Sequence, residues 1–160
     1  MKKTKKTQAM RQLDTLHIAY TPYDLEITEF TDGLELANRI GKDPNTVFKS
    51  LVTVSNDKDH FMFIIPVNGH LSMKKAAKAA GKKKVEMIHQ KDLLPLTGYV
   101  HGGCSPLGLK KPMPVFVDQS AEGLSTMCVS GGKIGVHVEL APADLLSAVH
   151  GEFADLLEEQ

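Results

Sequence analysis

Phe48-Lys49-Ser50-Leu51-Val52-Thr53-Val54-Ser55 is a β-branched and aromatic run, and His60-Phe61-Met62-Phe63-Ile64-Ile65-Pro66-Val67 is a second. Four polar residues, Asn56-Asp57-Lys58-Asp59, join them, a pattern that predicts a hairpin. Asn68-Gly69 turns the chain beyond it. Upstream, Asp32 is an N-cap for a helix through Leu36, Ala37 and Ile40, and Gly41 stops that helix. Earlier still, residues 7–16 place Ala9, Met10, Leu13 and Leu16 on one helical stripe. Residues 17–20 read as a short strand that Pro22 ends. Downstream, Ser72 caps a helix that carries Lys74, Lys75 and Lys78 and closes at Gly81. Residues 84–87 read as a strand, residues 90–94 as a short helix ended by Pro95, and residues 97–108 as loop at the centre. Strands are predicted at 115–118, 127–130 and 135–140, with Gly131-Gly132 turning between the last two. Pro142 suits the first turn of a helix through Leu145, Leu146 and Val149. Residues 153–158 read as a small terminal helix. Hairpin-linked strands interspersed with helices predict an α+β fold. The expectation is a single domain over residues 1–160, its mixed β-sheet curled and barrel-like with helices around it.

Composition narrows the function classes. The chain has 160 residues, 42% of them apolar and 24% charged, the balance of a globular protein with a core. The longest apolar run, residues 61–67, is strand-sized and too short to cross a bilayer. The basic start, Met1-Lys2-Lys3-Thr4-Lys5-Lys6, leads into no apolar signal core. Two thiols, Cys104 and Cys128, have no CxxC spacing, so neither a disulfide framework nor a zinc ribbon is suggested. A cytoplasmic protein without a membrane partner is expected. The formal net charge is zero, yet residues 1–84 hold 15 Lys and Arg against 9 Asp and Glu, and residues 85–160 hold 4 against 10. A basic face gathered from the first half would attract a polyanion; scattered lysines would only solvate helix faces.

Most chemical motifs are missing. There is no HExxH, and no PCxxC follows His137-Val138-Glu139, so no metal is expected. Neither phosphate-loop pattern occurs, and Ser130-Gly131-Gly132-Lys133 precedes no helix. Gly103-Cys104-Ser105-Pro106-Leu107 has Pro where a hydrolase elbow needs its helix. His101 and Cys104 offer a thiolate pair, or Cys104 is a structural thiol. What remains are two glycine-rich segments, residues 102–108 and 130–132, whose N–H groups can face a ligand. Beside them stands Lys49, one cation in an otherwise apolar strand, facing either solvent or a cleft.

Four segments give these features a context. They are residues 43–52 (D-P-N-T-V-F-K-S-L-V), 82–87 (K-K-K-V-E-M), 97–108 (T-G-Y-V-H-G-G-C-S-P-L-G) and 129–132 (V-S-G-G). In this order they resemble the YbaK family of free-standing aminoacyl-tRNA editing proteins, relatives of the editing insertion in bacterial prolyl-tRNA synthetase. The resemblance runs from about Leu13 to Leu157. It implies a curled, barrel-like mixed sheet and a deacylase that removes cysteine mischarged onto tRNA for proline, and other cysteinyl-tRNAs less selectively. It implies no cofactor and no DNA partner. The partners implied are mischarged aminoacyl-tRNA and prolyl-tRNA synthetase. The family's essential lysine falls on Lys49, and its glycine-rich substrate loop on Gly102, Gly103, Ser105, Pro106 and Gly108. Its second small-residue turn falls on Ser130 and Gly131. An early pocket tyrosine falls on Tyr23, with Tyr20 close by, and a pocket aromatic near Phe30, an offset putting Thr31 or Asp32 there. Relatives often carry Asp where this chain has His137, here assigned to the substrate pocket. Lys74, Lys75, Lys78, Lys82, Lys83 and Lys84 are the expected tRNA contacts. With no protein nucleophile in these segments, the substrate's own thiol is the expected attacking group, with water second. The alternative class is a module that binds aminoacyl-tRNA or nucleotide on the same fold without turnover.

Overall fold

The computed structural model describes residues 6–159; the lysines at positions 2, 3 and 5 lie outside the described residues. Among the described residues no helix is long and apolar enough to cross a membrane. The predicted hairpin forms as strands β2 (Phe48–Ser55) and β3 (His60–Pro66), antiparallel with Lys49 opposite Ile65 and Ser50 opposite Ile64. It is the middle of a five-stranded sheet completed by β4 (Val85–Met87), β5 (Val115–Asp118) and β8 (Glu152–Ala154), in the order β4-β2-β3-β5-β8. The sheet is mixed: β5 runs parallel to both β3 and β8. A second, three-stranded sheet has β7 (Val136–Leu140) between β1 (Thr21–Asp24) and β6 (Met127–Lys133).

The expected single barrel-like sheet is therefore corrected to two open sheets. They meet at one parallel bridge, Val47 to Cys128, and pair no further. The reason lies in β6. Its register against β7 shifts between Ser130 and Lys133, a bulge in which Gly132 takes φ +98°. A bulge bends and twists its strand, which disfavours a continued ladder with β2, and past Cys128 the described residues show none. The predicted turn at Gly131-Gly132 thus lies inside β6, and the actual turn is at Ile134-Gly135.

Apolar alternation explains how the layers pack. Phe48, Val52, Met62, Ile64, Val115 and Val117 of the larger sheet meet Met127, Val129, Val136, Val138 and Leu140 of the smaller one in the main core. Helix α1 (Gln8–Thr15) and helix α5 (Pro142–Val149) close that core with Ala9, Met10, Leu13 and Leu145. On the opposite face of the larger sheet, Phe61, Phe63, Ile65 and Phe116 are covered by Ala76 and Ala77 of α3 (Met73–Ala80). Helix α2 (Gly33–Arg39) begins at Asp32, whose carboxylate accepts from Leu34 N and Glu35 N, and α3 at Ser72, whose hydroxyl accepts from Lys75 N.

Other expectations are revised locally. Leu16, assigned to the α1 stripe, is exposed beyond the helix end. Pro22 does not end a strand but lies within β1, an edge strand paired only with β7, where a missing N–H is tolerated. Pro95 sits inside α4 (Gln90–Thr97), which runs on to a left-handed Gly98. The tail is no helix. Phe153 joins β8, Leu156 N–H donates to Asp118 Oδ1 at 3.1 Å, and Glu158 N–H donates to His70 O at 2.9 Å. Those bonds occupy the groups a terminal helix would need.

Candidate active site

A cavity of about 280 Å³ opens where the two sheets part. One wall is the start of β2, including Lys49, Ser50 and Leu51; the facing wall is Ser130 of β6 and His137 of β7. Phe30, Thr31 and Asp32 form the rim before α2, and His101, Gly102 and Cys104 close the remaining side. The geometry follows from register. The Val47–Cys128 bridge is parallel, so two residues further along each strand stand Lys49 and Ser130. Across the smaller sheet, Tyr23, His137 and Ser130 are directly opposed in one row.

Lys49 is half-buried, and among the described residues it has no carboxylate partner within 4.0 Å. Being opposite Ile65, it leaves the sheet on the face that α3 covers. His137 is only 6% exposed, and burial pushes its imidazole down to about 4, so it is neutral at pH 7. Among the described residues, only two buried side-chain polar atoms lack a hydrogen-bond partner: His137 Nδ1 and Ser50 Oγ. Both residues line this cavity. Cys104 is 8% exposed, and burial raises its thiol to about 11; Cys128, buried against Ala37, Val47 and Val67, rises to about 12. Neither is a thiolate at neutral pH. Of the two readings of Cys104, the structural thiol fits and the thiolate pair does not: Cys104 is buried and protonated, and the His101 ring stacks on Phe30 with centroids 4.8 Å apart. Gly102 permits that stack: it holds φ +88°, and a Cβ there would lie 2.7 Å from the Phe30 ring.

The glycine loop is shaped from within. Gly103 N–H donates to Val100 O, Leu107 N–H to Ser105 Oγ, and Gly108 N–H to Gln12 Oε1 at 2.6 Å. Those three N–H groups are committed. Of the cavity-lining loop residues, His101, Gly102 and Cys104 keep main-chain N–H groups without a backbone partner among the described residues. Thus Lys49, Gly102, Ser130, His137 and Phe30 come together, as does the rim pair Thr31 and Asp32. Gly103, Ser105 and Gly131 do not line the cavity, and Pro106 and Gly108 border a different hollow between α1 and α5. Tyr23 stands beside His137 in that row but does not line the cavity, its hydroxyl donating to Glu139 Oε1 at 2.7 Å; that bond raises the phenol's pKa. Lys42 and Thr126 reach the other Glu139 oxygen. Tyr20 is bonded to Asp14. Sequence reasoning missed Ser50, whose one signal was a hydroxyl in an apolar strand next to Lys49.

The six lysines separate into two groups. Lys75 bonds Asp155 and Leu157 O, and Lys82 bonds Asp57 and Asp59. Lys74, Lys78, Lys83 and Lys84 are exposed around one shallow hollow on α3 and β4. Among the described residues no cluster of three or more His, Cys, Asp or Glu is placed to hold a metal ion.

Comparison with known proteins agrees with this architecture. A profile of the aminoacyl-tRNA editing domain matches residues 31–148. EbsC of Enterococcus faecalis, whose name carries a provisional Cys-tRNA(Pro)/Cys-tRNA(Cys) deacylase assignment, is 43% identical over 157 residues, covering 97% of this chain and 96% of its own. A proline–tRNA ligase of Shouchella clausii is 27% identical over 103 residues, 64% of this chain and 18% of the ligase. One solved structure, described provisionally as a trans-editing enzyme for prolyl-tRNA synthetase, superposes with TM-score 0.82 at 23% identity, covering 95% of this chain and 96% of that one. Another, of a hypothetical protein, gives TM-score 0.86 at 22% identity over 95% of this chain and all of its own. These two share the fold. With the profile covering most of the chain and EbsC matching it end to end, this protein belongs to the YbaK-type aminoacyl-tRNA editing domain family.

Proposed function

We propose that the protein is a free-standing editing deacylase that removes cysteine wrongly attached to tRNA for proline. One observation carries the reading. The cavity combines a lysine lacking an ion-pair partner among the described residues with no thiolate or paired nucleophile: its only thiol is protonated, the buried His137 is a weak base, and the His101 ring is stacked on Phe30. Cysteine brings its own nucleophile. Its sulfur, as thiolate, attacks the ester carbonyl, the tetrahedral intermediate collapses, and the ribose oxygen leaves and takes up a proton. The products are the cysteine thiolactone and tRNA with a free terminal hydroxyl; water then opens the thiolactone to cysteine. Such intramolecular attack is favoured by effective molarities of about 10⁵ M or more, so positioning does most of the work. The N–H groups of Gly102 and Cys104 are the nearest candidates to stabilise the oxyanion, at about 2.7–4 kcal/mol per well-aimed donor. Lys49 holds the ester end of the substrate.

A synthetase built for proline discriminates poorly against cysteine, a side chain of similar size. The relative named for Cys-tRNA(Pro) and the fold neighbour named for prolyl-tRNA synthetase support this assignment and a partnership with that synthetase. The test is release of radiolabelled cysteine from Cys-tRNA(Pro). The wild-type protein should turn over, and folded Lys49→Ala should lose about 10² or more in kcat/KM. Tight binding by the wild-type without release would instead make the chain an aminoacyl-tRNA-binding module.

A further inference from the structure

One buried side chain touches both glycine-rich segments. Tyr99 is 6% exposed, and its hydroxyl donates to Leu107 O, inside the glycine loop, at 2.5 Å. Gly108 follows with φ +64°, and a Cβ there would lie 2.8 Å from the same phenol oxygen. The ring meets the other segment: a Cβ on Gly132, in the β6 bulge, would lie 2.9 Å from Tyr99 Cε1. Both glycines thus leave room for the same phenol. Tyr99 is anchored in turn, its N–H donating to Thr97 Oγ1 at 3.0 Å. The bulge is also tied to the start of α1, where the Thr7 hydroxyl donates to Gly131 O at 2.5 Å. We infer that Tyr99 is a positioning residue of the site: its phenol sets the spacing between the glycine loop and the β6 bulge, and through them between two walls of the cavity.

The phenol lines no part of the cavity, so it acts through its neighbours. Two residues after Tyr99 comes His101, which with Gly102 and Cys104 forms the wall whose N–H groups lack a backbone partner among the described residues. Two residues before Gly132 comes Ser130 of another wall, whose Oγ accepts from Gly132 N–H at 3.2 Å. Burial pushes the phenol up to about 12, so at neutral pH it stays a hydroxyl donor. A fixed donor suits positioning and not proton transfer. Moving reacting groups by about 1 Å costs about 10²-fold in rate, so a spacer that touches no substrate still governs turnover. The inference rests on the editing reading and deepens it, naming the side chain that aims the Gly102 and Cys104 donors. The rival holder is direct packing of Gly103 on Ile134, where a Cβ would lie 2.9 Å from Ile134 N.

The test separates positioning from stability. Tyr99→Phe keeps the ring against Gly132 and loses the bond to Leu107 O; Tyr99→Leu loses both. Each full chain is assayed for kcat and KM of cysteine release from Cys-tRNA(Pro), with Tm and backbone amide NMR spectra alongside. Folded Tyr99→Phe should lose about ten-fold in kcat and folded Tyr99→Leu about 10²-fold, with KM within about two-fold of wild-type because Lys49 and the β2 wall are untouched. In Tyr99→Leu the amide signals of Gly102, Cys104 and Ser130 should move together. A purely structural phenol would lower Tm and leave the kcat of folded protein unchanged. That result, or signals that move in the glycine loop alone, would overturn the inference and give the spacing to the Gly103–Ile134 packing. If the Tyr99 variants do not fold, Gly132→Ala presses on the ring from β6 and should shift the Gly102 and Cys104 signals; no shift there would overturn the inference equally. Linked signals in a wild-type protein that does not turn over would sink the deacylase reading and leave Tyr99 as the spacer. Wild-type turnover with kcat unchanged in both Tyr99 variants would do the reverse.

Discussion

His137 carries a cost that pH exposes. Its imidazole titrates near 4 in the folded protein because it is buried, against 6.5 for a free histidine. Below pH 6.5 the unfolded chain takes up a proton that the folded protein refuses, so stability falls as pH drops toward 4 and this loss then levels off. Its full extent is about 3 kcal/mol. Urea unfolding at pH 7 and pH 4.5 should therefore show a smaller pH-dependent loss for His137→Asn than for the wild-type; an identical loss would mean His137 is protonated in the native state. At this scale the sequence was only partly legible. Lys49 stood out because a cation breaks an apolar run. Ser50, its neighbour, is an unremarked residue type in a strand, and only its place on the cavity wall gives it meaning. Tyr23 reads as a pocket residue by position, yet Glu139 ties its hydroxyl and it does not line the cavity.

Elements were most legible where one side chain decides the boundary. Asp32 and Ser72 cap α2 and α3 through the hydrogen bonds their types predict. Where distant partners decide, the reading failed: residues 153–158 are taken into β8 and the Leu71–Leu157 bridge. The lysine hollow on α3 and β4 predicts a salt effect. Lys74→Ala, Lys78→Ala and Lys83→Ala combined should lower the slope of log affinity for tRNA against log salt by about 2–3 and leave stability nearly unchanged. An unchanged slope would remove α3 from the tRNA path. Lys75 and Lys82 behave differently, because their substitution breaks ties to the tail and to the hairpin loop, and should lower Tm. Helix α1 also holds the glycine loop. Gln12 accepts from Gly108 N–H and donates from Nε2 to Ala148 O at 3.0 Å. Gln12→Ala leaves both main-chain groups without that partner, so thermal or urea unfolding should show a loss of about 1–3 kcal/mol. A neutral result would mean the loop holds its shape unaided.

Across the whole molecule, α+β character and a mixed sheet were legible from the alternation of strand and helix patterns. Closure was not. It turns on whether β2 and β6 keep pairing beyond Val47 and Cys128, a contact between residues some eighty positions apart that the bulge at Gly131-Gly132 disfavours extending. The same parting of the sheets opens the cavity, so the feature misread in the sequence is the one that makes the site. The central claim is that this cavity positions a substrate that attacks itself. The most direct test is rapid-quench mass spectrometry of Cys-tRNA(Pro) turnover, with Ala-tRNA(Pro) in parallel. The account predicts cysteine thiolactone ahead of free cysteine, full activity in Cys104→Ala, and scarcely any alanine release. Free cysteine with no preceding thiolactone, together with fast release of alanine, would contradict it and assign the attack to water.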